Sequence, residues 1–208
     1  MAKERFGKRK KQGQETKNRI MECATSLFRD KGYHNVTVDE IIEEADSSKG
    51  GFYNHFKSKE ELLLNMLTLL DERYAEYLDE AEPETNALED ILSFIEHVLI
   101  TIDTFIGLDF ISVIYSSQIK DAAFPNFSIT PQRVYYRALV SFIEEGKANN
   151  FFKKGVPTDQ MIRFITTAVR GVIYDWCLYR GSFDLADYGK EVVTVVLHNL
   201  SVTSNDQN

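Results

Sequence analysis

Only two cysteines, Cys23 and Cys177, occur in the 208 residues, and neither sits in a CxxC or Cys/His ligand spacing. That argues against a disulfide framework and against a zinc site, and both thiols read as packing residues. Proline (4) and glycine (11) are scarce enough to permit long helices. No stretch approaches the ~18 apolar residues of a membrane span, and the polar N-terminus carries no apolar secretory core. The expected location is cytoplasmic. The four histidines, His34, His55, His97 and His198, are widely spaced. HExxH, GxSxG, P-loop and dinucleotide fingerprints are all missing, so no catalytic residue, metal or cofactor is expected and the chain does not read as an enzyme.

What is present is unevenly distributed. The net charge is −8, yet residues 1–60 hold 13 Lys and Arg against 10 Asp and Glu, while the remainder holds 11 against 22. The basic excess is densest in the first twenty residues, with Lys3, Arg5, Lys8, Arg9, Lys10, Lys11, Lys17 and Arg19 against Glu4 and Glu15. Such a cluster attracts phosphates whatever the nucleic-acid sequence. Residues 1–13 contain Gly7, Gly13 and few apolar groups, and read as a flexible basic arm, either a solvated tail or one that touches DNA.

Between Thr37 and Leu62 the chain carries its most specific pattern. Thr37 with Glu40 forms a capping box that fixes a helix start. Ile41, Ile42 and Ala45 give that helix one apolar face. Asp46-Ser47-Ser48 breaks the pattern with turn and N-cap residues, and a second short helix follows with Phe52 and Phe56 at i, i+4. Ser58 with Glu61 reads as a second capping box. Two short helices joined by a tight turn are a helix-turn-helix. With Phe52 and Phe56 turned inward, Lys49, Tyr53 and Asn54 face outward as a cation, a phenol and an amide, groups suited to phosphates and base edges. Gly50 and Gly51 each cost roughly 1 kcal/mol inside a helix, and close approach of the backbone to a partner is the expected reason for them.

This run resembles the DNA-binding signature of the TetR family of transcriptional regulators. Thr37, Ile41, Ala45, Ser48, Gly50, Tyr53, His55, Phe56, Ser58, Lys59, Glu60, Glu61 and Leu62 match in fixed register. Asp46 stands where the family usually has Gly, and Asp tolerates left-handed backbone. Ser47 replaces a usual Val. Gly51 stands where a base-reading side chain is often found. The resemblance implies Thr37, Ser48, Lys49, Gly50, Gly51, Tyr53, Asn54, His55 and Lys59 at the DNA, with His55 either a phosphate contact or a packing residue.

Beyond residue 62 the resemblance lies in length and helix order. Apolar periodicity predicts helices over 58–80, over 86–105 with Asn86 and Glu89 as another capped start, over 107–123, from Thr130-Pro131 as N-cap and N1 to about 148, from Pro157 to before Gly181, and from near Phe183 to Leu200. The valines of the last could suit a strand, but no partner strand exists. His97, Asp103, Asp109, Arg170, Tyr174 and Asp175 are polar exceptions on apolar faces. A mostly apolar cavity with a few placed polar groups suits a small molecule. The resemblance implies such a pocket, and the candidate lining is Phe94, His97, Phe110, Tyr115, Arg170 and Tyr174. His97 and the aromatics also fit plain core, and Arg170 either meets an anion or pairs with Asp175. The resemblance also implies a homodimer paired through the last two helices. Trp176, Val192, Val196 and Leu200 are its candidates, Trp176 serving equally as monomer core.

The expected fold is all-α, about nine helices. Residues 1–13 form the arm, 14–60 the three-helix DNA-binding domain, 61–203 the ligand-binding and dimerisation bundle, and 204–208 a tail. The expected function is a ligand-responsive regulator. As a dimer it represses from a near-palindromic double-stranded DNA operator, and a small, largely apolar effector releases it. The alternatives are a constitutive DNA-binding protein and a helical enzyme or carrier with a vestigial N-terminal unit.

Overall fold

The computed structural model describes residues 2–120 and 130–202, with the side chains of all of these except 2–10, 63, 64 and 67. Every regular element among the described residues is helical, and the chain divides into two compact units, Met1–Leu69 and Leu70–Asn208. The division falls later than residue 60 because Leu62 and Met66, at 0 and 1% exposure, belong to the core of the first unit. The helix end expected near residue 123 and the tail at 204–208 lie outside the described residues.

The first unit consists of α1 (Ala2–Lys31), a single 3₁₀ turn (Tyr33–Asn35), α2 (Val38–Glu44), α3 (Lys49–Tyr53) and the start of α4 (Lys59–Glu80). Helical backbone from Ala2 onward replaces the arm expected over residues 1–13. Lys, Arg, Gln and Glu are good helix formers, so a polar composition is no bar to a helix. Ile20, Ala24, Phe28, Ile41, Phe52 and Phe56 are buried together as the core. Rings of Phe52 and Phe56 lie 5.7 Å apart. The Thr25 hydroxyl donates to the Met21 carbonyl at 2.7 Å and lies 2.8 Å from Met66 Sδ, so its burial leaves no polar atom unsatisfied.

In the second unit α5 (Ala87–Thr101) packs against both α7 (Val134–Ala148) and α9 (Leu185–Leu200), and α8 (Thr158–Leu178) packs against α6 (Leu108–Lys120), α7 and α9. Asn86 caps α5 as its sequence predicts, accepting from the amides of Leu88 and Glu89. Beyond Thr101 the helix widens into a π turn, Ile102–Ile106, closed by the Gly107 amide on the Ile102 carbonyl and ended by Gly107 at φ +81°. At Gly189 a Cβ would lie 2.1 Å from Leu99 Cδ1, so glycine is what lets α9 approach α5. The valines of α9 are helical, and Ser201 beyond it makes only an isolated bridge with Phe152.

The start of α7 differs from expectation. Thr130 and Pro131 form a turn, in which the Arg133 amide donates to the Thr130 carbonyl, and the helix begins at Val134. Its cap comes from α4 instead. Asp71 accepts the Val134 amide at 3.2 Å and pairs with Arg133 at 2.5 Å.

Among the described residues no single helix is long and apolar enough to cross a membrane. The stretches Ala87–Ile106 and Leu108–Lys120 would suffice together but are bent by 103°. Phe94, Ile106 and Phe110 in them are buried in the unit's interior.

Candidate nucleic-acid interface

Local sequence sets the geometry of the α2–α3 pair. The Thr37 hydroxyl accepts the Glu40 amide at 3.2 Å while Glu40 Oε2 accepts the Thr37 amide at 2.8 Å, completing the expected capping box. Those bonds and the Lys31 ammonium on Oε1 hold the Glu40 carboxyl down at about 2. The turn passes through Asp46 at φ +43°, the left-handed backbone that its position requires. Arg19 of α1 braces it by donating to the Asp46 carbonyl at 3.3 Å. Ser48 then caps α3, its hydroxyl accepting the Gly51 amide at 2.9 Å. Ser58 likewise accepts the Glu61 amide, but the Glu61 carboxylate takes the Lys57 amide rather than completing a second box.

With Phe52 and Phe56 fully buried, α3 turns Ser48, Lys49, Gly50, Tyr53 and Asn54 to solvent, Tyr53 at 55% exposure. Lys49 pairs with Asp39 of α2 at 3.0 Å, and both side chains are 71% exposed. Thr37 is exposed at the start of α2. His55 is half-buried, with its ring beside Phe56 and its Cε1 3.8 Å from where a Cβ of residue 13 would stand. Tyr53, Asn54 and Lys49 thus form one polar front on an apolar back.

Two expectations are corrected. Lys59 is turned into the unit, where its ammonium donates to the carbonyls of Tyr33 at 2.8 Å and Val36 at 2.9 Å and sits 4.2 Å over the Tyr33 ring. Burial lowers its pKa, against the opposing pull of Glu60 and Glu40. It staples the α1–α2 connection instead of facing phosphate. Gly51 is explained from within: a Cβ there would lie 2.7 Å from Ser47 Oγ and 3.2 Å from the capping Ser48 Oγ. At Gly50 a Cβ would meet nothing closer than 4.0 Å. Lys57, exposed just after Phe56, is a cation that the motif comparison passed over. The amphipathic spacing, with residue 56 inward and 57 outward, was the available signal.

Of the expected pocket residues, the structure draws some together. Phe94 is buried, its ring 6.0 Å from both Tyr74 and Tyr135. Tyr115 is pushed up by burial, with the Arg170 charge opposing and Tyr135 close enough to contribute. Phe110 is buried in α6. Tyr174 does not join them, being 45% exposed on α8. His97 stacks on Tyr77 at 4.2 Å and shares a 3.3 Å hydrogen bond with Thr101, and burial lowers its pKa. Arg170 makes no ion pair with Asp175. Sequence reasoning missed Tyr135 and Thr166, whose hydroxyls are buried beside this group. No signal in the sequence distinguished them from ordinary helix residues.

Among the dimer candidates, Trp176 and Leu200 are buried within the chain, and the Trp176 indole donates to the Phe183 carbonyl at 3.1 Å. Val192 and Val196 are half-buried. Within the last two helices, the large apolar side chains left outside are Phe164, Tyr174 and Leu178 of α8 and Tyr188 and Val195 of α9. The two cysteines are unbridged, and burial raises Cys177 to about 11. Among the described residues no His, Cys, Asp and Glu cluster could hold a metal ion.

Comparison with known proteins agrees with this geometry. Residues 20–66 match the family described as bacterial regulatory proteins, tetR family. Over 202 residues the chain is 27% identical to the HTH-type transcriptional repressor KstR2 of Mycolicibacterium smegmatis, covering 92% of this chain and 93% of that protein. Over 48 residues it is 54% identical to the uncharacterized HTH-type transcriptional regulator YuxN of Bacillus subtilis, covering 23% of this chain and 16% of that one. The structure of the ketosteroid transcriptional regulator KstR2 of Mycobacterium tuberculosis shares the fold, with a TM-score of 0.55 at 22% identity over 90% of this chain and 95% of that one. These relatives are transcriptional regulators, not enzymes. Residues 20–66 thus carry the tetR-family signature, the chain as a whole is similar to HTH-type transcriptional repressors, and it is a DNA-binding regulator.

Proposed function

We propose that the protein is a repressor that binds a near-palindromic operator as a homodimer and lets go when a small, largely apolar effector enters the second unit. The observation that carries this reading is the polar front of α3, where Lys49, Tyr53 and Asn54 stand outward on a helix whose apolar back is fully buried. Lys49, Lys57, Tyr53 and His55 serve phosphates, and Asn54 reads a base edge. One short helix makes too few contacts for a specific site, so two copies read half-sites about 34 to 36 Å apart or a multiple of that. The exposed residues Phe164, Thr167, Gly171, Tyr174 and Leu178 recur at spacings of three and four along α8, a stripe that a second copy would cover. An operator-binding protein of this kind acts in the cytoplasm, where the chromosome lies.

Selection from random duplex DNA followed by titration tests the reading. The selected site should be a near-palindrome bound by two chains. Asn54→Ala should relax preference at one position of each half-site at a cost of roughly 1 to 3 kcal/mol. Leu178→Glu should yield a monomer by sedimentation and lose the two-half-site complex. A monomer of the unaltered chain at micromolar concentration, or an unchanged preference profile in Asn54→Ala, would sink the corresponding claim.

A further inference from the structure

Four helices of the second unit bring a set of hydroxyls and the Arg170 cation to the same interior region, with Arg133, paired to Asp71, also acting on Tyr74. Tyr74 of α4, Tyr115 of α6, Tyr135 of α7, and Thr166 and Arg170 of α8 lie close enough to act on one another electrostatically. The Tyr135 hydroxyl and Thr166 Oγ1 are buried within reach of each other, yet neither makes a well-formed hydrogen bond among the described residues. Thr166 is 2% exposed. Leaving such groups unsatisfied disfavours the folded state, so two in one place call for an explanation.

The charges around them narrow the answer. Asp71, the acid that acts on this tyrosine group, is already engaged twice, by the Arg133 guanidinium and by the Val134 amide at the start of α7. Arg170 is half-buried and forms no ion pair with any described residue. Its guanidinium can only donate, and the two orphaned hydroxyls can donate as well. A cationic ligand would meet Arg170 unfavourably, and a neutral one would leave that charge uncompensated. An oxyanion accepts from all three and offsets the charge. Phe94, against the Tyr74 and Tyr135 rings, supplies apolar surface next to the polar end.

We infer that the effector is an amphipathic oxyanion, a carboxylate or a group of like charge on an apolar body, whose head is held by Tyr135, Thr166 and Arg170. This deepens the effector reading above and rests on it. It revises the expected lining, adding Tyr135 and Thr166 and setting aside Tyr174 and His97. Burial already pushes the Tyr135 phenol up to about 12, so it stays a proton donor across the ordinary pH range.

The test uses the full-length protein and matched series of n-alkyl carboxylates, alcohols and ammonium ions of roughly six to fourteen carbons, sized for a pocket of ordinary volume. Calorimetry reads binding, and operator affinity is followed in parallel. A carboxylate should bind at least about tenfold more tightly than the alcohol of equal length, with the ammonium ion weakest, as a charge-assisted contact requires. Arg170→Gln should remove that preference while leaving the alcohol unchanged. Tyr135→Phe and Thr166→Val should each weaken the carboxylate by about three- to tenfold. The same two variants should raise the ligand-free Tm by about 2 to 4 °C, since each deletes an unsatisfied buried hydroxyl. Alcohols or ammonium ions binding as tightly as carboxylates and releasing the operator would overturn the oxyanion assignment and keep the effector reading. If no compound bound while operator affinity stayed intact, both would fall. A lower ligand-free Tm in Tyr135→Phe would show its hydroxyl to be satisfied and would also overturn the assignment.

Discussion

The two units handle buried polarity in opposite ways. In residues 1–69, Thr25 bonds to the Met21 carbonyl, Lys59 gives its ammonium to two carbonyls, and the chemistry meant for a partner stands outside on α3. In residues 70–208, Tyr135 and Thr166 keep their hydroxyls inside without a well-formed hydrogen bond, while the outer face of α8 is apolar at Phe164, Tyr174 and Leu178. A DNA duplex is met at a surface, so a reading unit needs no polar groups held inward for its partner. A site for a small molecule must hold polar groups inward, and those cost stability until something accepts their protons. The contrast is therefore between a unit optimised as a rigid platform and one that holds interior bonding capacity in reserve.

The largest effects should come from cutting each core separately. Phe52→Ala and Phe94→Ala both delete fully buried rings and should each cost about 3 to 5 kcal/mol. Phe52→Ala should abolish operator binding while the near-ultraviolet signal of Trp176, the one tryptophan of the chain and buried in the second unit, persists. Phe94→Ala should lose the Trp176 signal, and operator binding with it, because the second unit carries the pairing surface. Loss of the Trp176 signal in Phe52→Ala would break the picture of two separately packed units.

A smaller pair of changes sharpens the contrast within the first unit. Lys59→Met removes a charged donor from two carbonyls and should lower stability by about 2 kcal/mol, with the salt dependence of operator binding unchanged. Lys49→Met should do the converse. Its exposed pair with Asp39 is worth little, so urea unfolding should barely move, but the salt slope should fall by about one. A drop in slope in Lys59→Met without loss of stability would return Lys59 to the phosphates.

What was legible in the sequence was local. Thr37 with Glu40, Ser48 before Phe52 and Phe56, left-handed Asp46 and the Asn86 cap each involve residues a few positions apart, so spacing alone carries their geometry. What was not legible depends on distant partners. Lys59 finds its carbonyls 23 and 26 residues away, and α7 takes its cap from Asp71, 63 residues earlier. Trp176, which the sequence leaves open between interface and monomer core, is buried and donates its indole N–H to the Phe183 carbonyl. The i, i+4 spacing of Thr166 and Arg170 puts them on one face of α8, but Tyr135 meets them only after α7 and α8 pack. The N-terminal residues were misread for another reason, since polarity signals the lack of a buried face and not the lack of a helix.

The smallest expected effect concerns the capping box, and it is a pH effect confined to the first unit. The Glu40 carboxyl is held at about 2, against 4.5 for a free one, first by the Thr37 amide, then by the Lys31 ammonium and the Thr37 hydroxyl. Because the folded value is the lower, the unfolded chain binds more protons between the two, and stability rises with pH across that window. The contribution should be fully present above pH 4.5 and should fade as the pH drops toward 2. Glu40→Gln keeps an amide oxygen for the Thr37 amide but does not titrate. The urea midpoint of the natural chain minus that of Glu40→Gln should therefore be flat above pH 4.5 and shrink below it. The Lys31 ammonium is exposed and Glu40 partly so, and the difference should also narrow in high salt, where the Lys31 part is screened and the hydrogen bonds to Thr37 are not. A difference that grew on acidification would mean that Glu40 is protonated more readily in the folded state and that the box is not what anchors α2.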